Sequence, residues 1–526
     1  MRDSKRPTTP PRRSQPSHRA LAAAPTASLF EGHDDSSPAG HIDTAVFARL
    51  RKLGIAPARR CSDAVFVRRV YLDSIGTLPT ADEARAFLLD RNADKRRVLI
   101  DQLLDREEFA DYWAMKWSDI LRIKAEFPIN LWPNAAQAYH RWVRTSLREN
   151  KPYDRLVREM LTATGSNFRV PEVNFYRAVQ SRDPQTVAQA VALAFMGARV
   201  EKWPKDRLAG MAVFFSRIGY KSTAEWKEEI VFFDRGKART EPAAASFPDG
   251  MPTTLPPEQD PREVFAQWLV SAKNPWFVRN IVNRVWSWLL GRGIIHEPDD
   301  IRADNPPGNP ELLATLEREL VSARWDLKHV FRLILNSKTY QLSSVPRSTS
   351  AEAAAAFAYY PLRRLDAEVL IDALCQITGT TEEYSSAIPE PFTFIPKGYR
   401  SIALPDGSIT SSFLEMFGRP ARDTGLESER NNRPTAAQRL HLLNSSHIQR
   451  KLEQWRLPSR AGSFGPRARP RQALEEAYLS VLSRFPTEEE LAAIHAYAQS
   501  GPARGREAMI DVVWALVNSA EFLYRH

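Results

Sequence analysis

"SDAVFVRRVYLDSIGTLPTADEARAFLLD", residues 62–90, carries the signal that decides the fold class. Phe66, Val70 and Ile75 recur at steps of four and five, which lays one apolar stripe along a helix rather than along a strand. Ser62 stands where an N-cap belongs, and Thr80 is followed three residues later by Glu83, the pattern of a capping box. Two short helices joined by a tight turn are therefore expected. Outward from this stretch, Asp94 is expected to cap "KRRVLIDQLLD", and in "REEFADYWAMKWSDILRIK" (106–124) Phe109, Trp113 and Trp117 fall on one helical face. Helical patterning starts at His41 and persists through "DPQTVAQAVALAFMG" (183–197) to about residue 220.

The period then changes. "EEIVFFDRGKART" (228–240) reads as two short strands about a turn at Asp234 to Gly236, a small β-hairpin element near 225–240. The Pro-rich run 241–260 reads as the rest of a linker spanning 221–260. A second helical unit, 261–526, contains "NPWFVRNIVNRVWSWLLGRG" (274–293), whose Gly291 stands as a helix C-terminus, and an irregular stretch at 381–434. The expectation is a mainly α, multi-helix, two-domain protein: a basic disordered tail over 1–40, domains over 41–220 and 261–526, and a basic loop at 456–472. One internal similarity stands out. "YLDSIGTLPTADEARAF" from Tyr71 and "YLSVLSRFPTEEELAAI" from Tyr478 share Tyr-Leu, Pro-Thr and a Glu at equal offsets, and "LILNSKTYQLSS" (333–344) loosely matches the endings that follow them. Both ends of the chain are expected to use one kind of helical hairpin module.

The 526 residues carry a net charge of +10, with 43% hydrophobic and 26% charged residues. The charge is not spread evenly: residues 1–60 net +6 and residues 451–472 net +5, which leaves the rest at −1. A near-neutral body argues against a nucleic-acid groove. No apolar run reaches the length of a membrane span, and "ALAAAPTASLF" (20–30), broken by Pro25, does not make a convincing signal-peptide core. Cys61 and Cys375 are the only cysteines, so no CxxCH or disulfide framework exists, and both are expected as isolated apolar side chains.

The residues that could carry chemistry are few. Walker, G-x-S-x-G and dinucleotide motifs are absent. Among the ten His, His441 and His447 are the nearest pair, placed by a six-residue spacing on opposite sides of one helix, which does not suit a shared metal ion. Candidate site residues are Asp299, Asp300 and Asn305 in one loop and Glu427, Glu429 and Arg430 in another. Alternation in an extended segment would point Glu427 and Glu429 the same way, as an acid/base pair requires, whereas Arg430 and Arg433 would neutralise them in a salt-bridged loop. The Trp at helical spacing are expected in the core.

Residues 66–88 and 106–122 resemble DUF1549, the planctomycete cytochrome-associated domain PSCyt2. Residues 274–316, "DLKHVFRLILNSKTYQLSS" (326–344), "LRRLDAEVLIDALCQITG" (362–379) and "RPTAAQRLHLLN" (433–444) resemble its companion DUF1553, or PSD1. The resemblance implies an exported or periplasmic protein from a family without an established reaction. It also implies that relatives carry CxxCH and a second His where this chain runs from Val200 to Glu201. Relatives commonly carry CxC where this chain reads Leu426 to Arg430. If those motifs face each other in relatives they would form a thiolate and imidazole site for zinc, iron or a haem-like group. This chain would then bear no metal and no cofactor, acting as a binding or scaffold paralogue with a protein or polysaccharide partner. The alternatives are an enzyme acting on carbohydrate or another extracellular substrate, or a component of an electron-transfer system.

Overall fold

Ser62 and Thr80 cap as the sequence predicts, and the chain around them folds accordingly. Val65 N donates to Ser62 Oγ at 3.3 Å to start the helix Asp63–Ser74, and Thr80 and Glu83 exchange both bonds of a capping box at the head of Ala81–Leu89. Asp94 occupies the N-cap of Lys95–Leu104 without a side-chain hydrogen bond to it. Its backbone is not extended, with φ −92° and ψ 5°, and its carboxylate pairs with Arg97 at 3.3 Å instead. The computed structural model describes residues 27–32, 37–237, 241–455, 470–501 and 503–526. Most of the expected basic tail at 1–40, and the basic loop at 456–472 up to residue 469, lie outside the described residues.

The architecture is mainly α with small antiparallel sheets. Helix Glu107–Ile120 buries Trp113 and Trp117 against the second half of the chain. The Trp113 ring centroid is 5.2 Å from that of Trp288 and 4.4 Å from that of Phe331, and Trp117 lies 6.1 Å from Trp288. Burying such rings contributes on the order of 2–3 kcal/mol each. Trp288 sits on Pro275–Leu290, which Asn274 caps and Gly291, at φ +71°, ends in the left-handed conformation. One continuous set of buried apolar side chains runs from Ile42 to Phe522, so both halves share a core.

The β element differs from its prediction. Strands Ile218–Ser222 and Glu229–Phe233 pair antiparallel with Tyr220 opposite Val231, and Gly165–Ser166 joins the outer edge of Glu229–Phe233. The turn therefore falls at 223–228, while Asp234 to Gly236, expected as the turn, leads into the 3₁₀ turn Arg235–Lys237. Gly219 explains the choice, because its missing Cβ makes room for the Phe232 ring opposite. Within the Pro-rich run a second hairpin forms, Ala243–Ser246 with Pro252–Leu255.

The two similar ends of the chain prove alike in detail. Thr487 and Glu490 repeat the capping box, and Leu479 packs on Ala81 and Ala84, so the two modules touch. In the first, Arg106 joins the capping-box Glu83 at 2.8 Å to Glu108 at 2.6 Å and lies 5.7 Å from the Tyr71 ring centroid. In the last, Arg484 joins Glu490 and Glu521, each at 2.7 Å, and lies 5.3 Å from Tyr478. The third match extends to its hydrogen bonds: Ser337 Oγ donates to Ile334 O and accepts from Tyr340 N, as Ser519 Oγ does with Leu516 O and Phe522 N.

Candidate functional site

The two halves meet along a buried polar seam. Asp366 Oδ2 accepts from Lys116 Nζ at 3.1 Å, Arg525 Nη2 at 3.0 Å and Tyr112 Oη at 3.3 Å, while Asn432 donates to its other oxygen at 2.7 Å. Arg430 reaches Asp119 at 2.7 Å and Glu368 at 2.7 Å, and Arg422 reaches Asp119 at 3.0 Å. Burial alone would raise the Asp366 and Glu368 carboxyls, but the surrounding cations overcome it: Lys116, Arg525 and Arg430 hold Asp366 well below the usual range, and Arg430 and Arg419 hold Glu368 below it. Burial, reinforced by Arg430, lowers Lys116.

The candidate residues are distributed around this seam. Asp299 is buried, accepts from Arg284 Nη2 at 2.5 Å and takes the Glu427 backbone N–H at 2.7 Å, which joins the two candidate loops. Arg284 also donates to Ala194 O and Leu193 O, answering the carbonyls at the end of the helix that starts at Pro184. Glu427 accepts from Trp288 Nε1 at 3.0 Å, and burial, with Asp299 adding to it against Lys116, raises its pKa. Asp300 turns outward to Arg302 at 3.1 Å and Lys202 at 3.6 Å, and Asn305 donates to Asp300 O and His296 O. Glu427 and Glu429 do not share a direction. The segment is a single 3₁₀ turn rather than an extended run, and Glu429 instead accepts from the N–H groups of Asp423 and Thr424. Arg430 belongs to the seam.

Beside the seam, the helix end at 193–201 and the loop 423–426 form the walls of a cleft of about 400 Å³. The first segment contributes Ala198, Arg199, Val200 and Glu201 to its lining, the second Asp423, Thr424 and Leu426, and Arg122 also lines it. Gly197, at φ +59°, holds the first wall in place. Its O accepts from Ile301 N at 2.8 Å, and a Cβ there would lie 2.7 Å from Asn280 Oδ1 and 2.9 Å from Pro298 O, so a larger residue would push the wall away. The lining holds neither Cys nor His, so the donors present do not fit a thiolate- and imidazole-bound metal or a covalently attached haem. Cys61 and Cys375 are free and lie elsewhere, with Cys375 Sγ 3.3 Å from Lys451 Nζ.

His441 and His447 differ from their prediction. Ser445 divides that stretch into two helices, Ala436–Asn444 and Ser446–Gln454, and the break brings His441 Nε2 to 3.3 Å from His447 Nδ1, with Glu382 3.0 Å from His447 Nε2. Among the described residues no cluster of three or more His, Cys, Asp or Glu is arranged to hold a metal ion. Sequence reasoning missed Lys116, Asp119, Arg122, Arg284, Asp366 and Glu368. For Lys116 a signal existed: a charged residue well inside a Trp-lined apolar helix must find partners.

No helix among the described residues is long and apolar enough to cross a membrane. Residues 41–206 match the family model PSCyt2, protein of unknown function (DUF1549), and residues 261–498 match PSD1, protein of unknown function (DUF1553). Neither a curated protein nor a solved structure matches the chain. The cleft thus has one wall from each matched segment, and the chain belongs to the proteins that carry a PSCyt2 domain followed by a PSD1 domain, both of unknown function.

Proposed function

We propose that this protein is a binding or scaffold member of its family, exported as the resemblance implies, whose cleft between the PSCyt2 and PSD1 segments works without a thiol-bound cofactor. One observation carries this reading. The two places where the sequence departs from the motifs expected of its relatives, Val200 to Glu201 and the segment beginning at Leu426, are far apart in the chain, yet both line one cleft. A site that paired thiols across the cleft in relatives would have both halves there. Here the lining offers guanidinium, amide, hydroxyl and carboxylate groups, which bind by hydrogen bonds and charge rather than by soft-metal coordination.

Elemental analysis and visible absorption of the purified full chain test this reading. Substoichiometric transition metal and no Soret band are expected, and stoichiometric metal or bound haem would overturn it. Among the candidate site residues, a catalytic reading is favoured by Glu427, a buried carboxyl of raised pKa beside Asp299. Neither Glu427 nor Asp299 is among the residues lining the cleft, so the binding reading takes precedence.

A further inference from the structure

Arg122 is the odd residue of the cleft. It follows the helix Glu107–Ile120 in a left-handed conformation, φ +54°, and that turn places its side chain at the inner wall between the two halves. It is 5% exposed, its Nε donates to Ala178 O at 2.6 Å, and one terminal nitrogen has no partner among the described residues. Every other Arg named in the seam meets a carboxylate. Among the described residues Arg122 meets none within ion-pair distance, since Glu429 is committed to the backbone of Asp423 and Thr424. Burial accordingly pulls its pKa down to about 10, outweighing Tyr139 and Glu429, which act to raise it.

A buried cation without a counter-charge destabilises a fold, and groups that do so at the wall of a ligand-sized cleft mark binding sites. Arg199, also in the lining, repeats the feature more weakly: Nη2 meets Glu297 at 3.0 Å while its buried Nε has no partner among the described residues. The rest of the lining limits the ligand. Glu201 and Asp423 are acidic, although Lys124 engages Asp423 at 2.7 Å, so a polyanion would be repelled. Gln180, Gln189 and Thr424 offer amides and a hydroxyl suited to neutral polar groups.

We infer that the cleft binds a small molecule bearing a single oxyanion on a hydroxyl-rich body, an acidic sugar in chemical class, with Arg122 as the counter-charge for its carboxylate or sulfate. This rests on the binding reading above and names the ligand of that same cleft.

Thermal-shift and calorimetric titration of the full chain with glucuronate tests it, with glucose, inorganic sulfate and sodium chloride at matched ionic strength as parallel arms. Glucuronate is expected to raise the melting temperature saturably, as a ligand of the native state does. Arg122→Met is expected to weaken binding at least tenfold. Leu426→Trp, which adds bulk to the cleft lining and leaves Arg122 unchanged, is expected to do the same. Circular dichroism confirms that each variant is folded. Sulfate binding more weakly than glucuronate supports the hydroxyl-rich body, and sulfate binding equally well overturns that part. Glucose binding as well as glucuronate, or an undiminished response in both variants, overturns the inference. A metal-free chain that ignores every anion overturns this inference alone and leaves the cofactor-free reading standing, whereas stoichiometric metal overturns that reading first.

Discussion

At the scale of single residues the protein holds several polar groups at a cost, and His140 shows it most simply. Its ring is buried on Pro133–Arg148 with Nε2 unpartnered among the described residues. Burial, then the positive charges of Arg422, Arg144 and Arg141, lowers its pKa to about 3. The unfolded chain takes up this proton below the ordinary value of 6.5 and the folded chain does not, so stability falls as the pH drops below 6.5. His140→Phe, which keeps the ring and removes the titration, is expected to lose about 2 kcal/mol less stability than the parent between about pH 7 and 5. Urea unfolding at the two pH values measures it, and equal slopes would show that the ring is protonated where it lies. His140 was not legible as a buried neutral base, because the basic residues that surround it come from its own helix and from the distant Arg422.

At the scale of elements the local rules hold where the information is local. The Pro-Thr-x-x-Glu signature at Thr80 and Thr487 forms a capping box both times, since a cap needs only side chains three residues apart. Thr80→Ala and Thr487→Ala are each expected to cost about 1 kcal/mol in denaturant unfolding. Arg484→Met is expected to cost more than either, because it leaves Glu490 and Glu521 without their shared cation. A smaller loss than from Thr487→Ala would show that the clamp contributes nothing beyond the cap. The hairpin forms, but its expected turn was misplaced for the complementary reason: Asp-Arg-Gly at 234–236 has turn composition, but strand pairing is settled by what packs across the sheet, and the Phe232 ring over Gly219 sets the register. His441 and His447 failed in the same way, on a helix break at Ser445 that apolar periodicity did not reveal.

At the scale of the whole molecule the PSCyt2 and PSD1 segments share both an apolar core and an ionic seam, so neither has a complete interior alone. Differential scanning calorimetry is expected to give one unfolding transition for both, and two resolved transitions would contradict the shared core. Arg430→Met, which strips Asp119 and Glu368 of their shared partner, is expected to destabilise that single transition by about 3 kcal/mol or more. Because Asp366 and Glu368 are held below their ordinary values, the seam's contribution is present above about pH 4 and is lost as the pH falls further. The amino-acid sequence by itself determined most of the helices, the caps at Ser62, Thr80 and Thr487, the Gly291 stop, the repeated module and the PSCyt2 and PSD1 membership, because each depends on residues a few positions apart or on a contiguous motif. Only the tertiary structure decided that Val200 and Leu426 line one cleft, that Asp299 joins Glu427 while Asp300 and Glu429 turn away, and that Arg122 is left without a counter-charge among the described residues. Those outcomes depend on which distant side chains share a low-dielectric interior, a property of packing that no local pattern encodes.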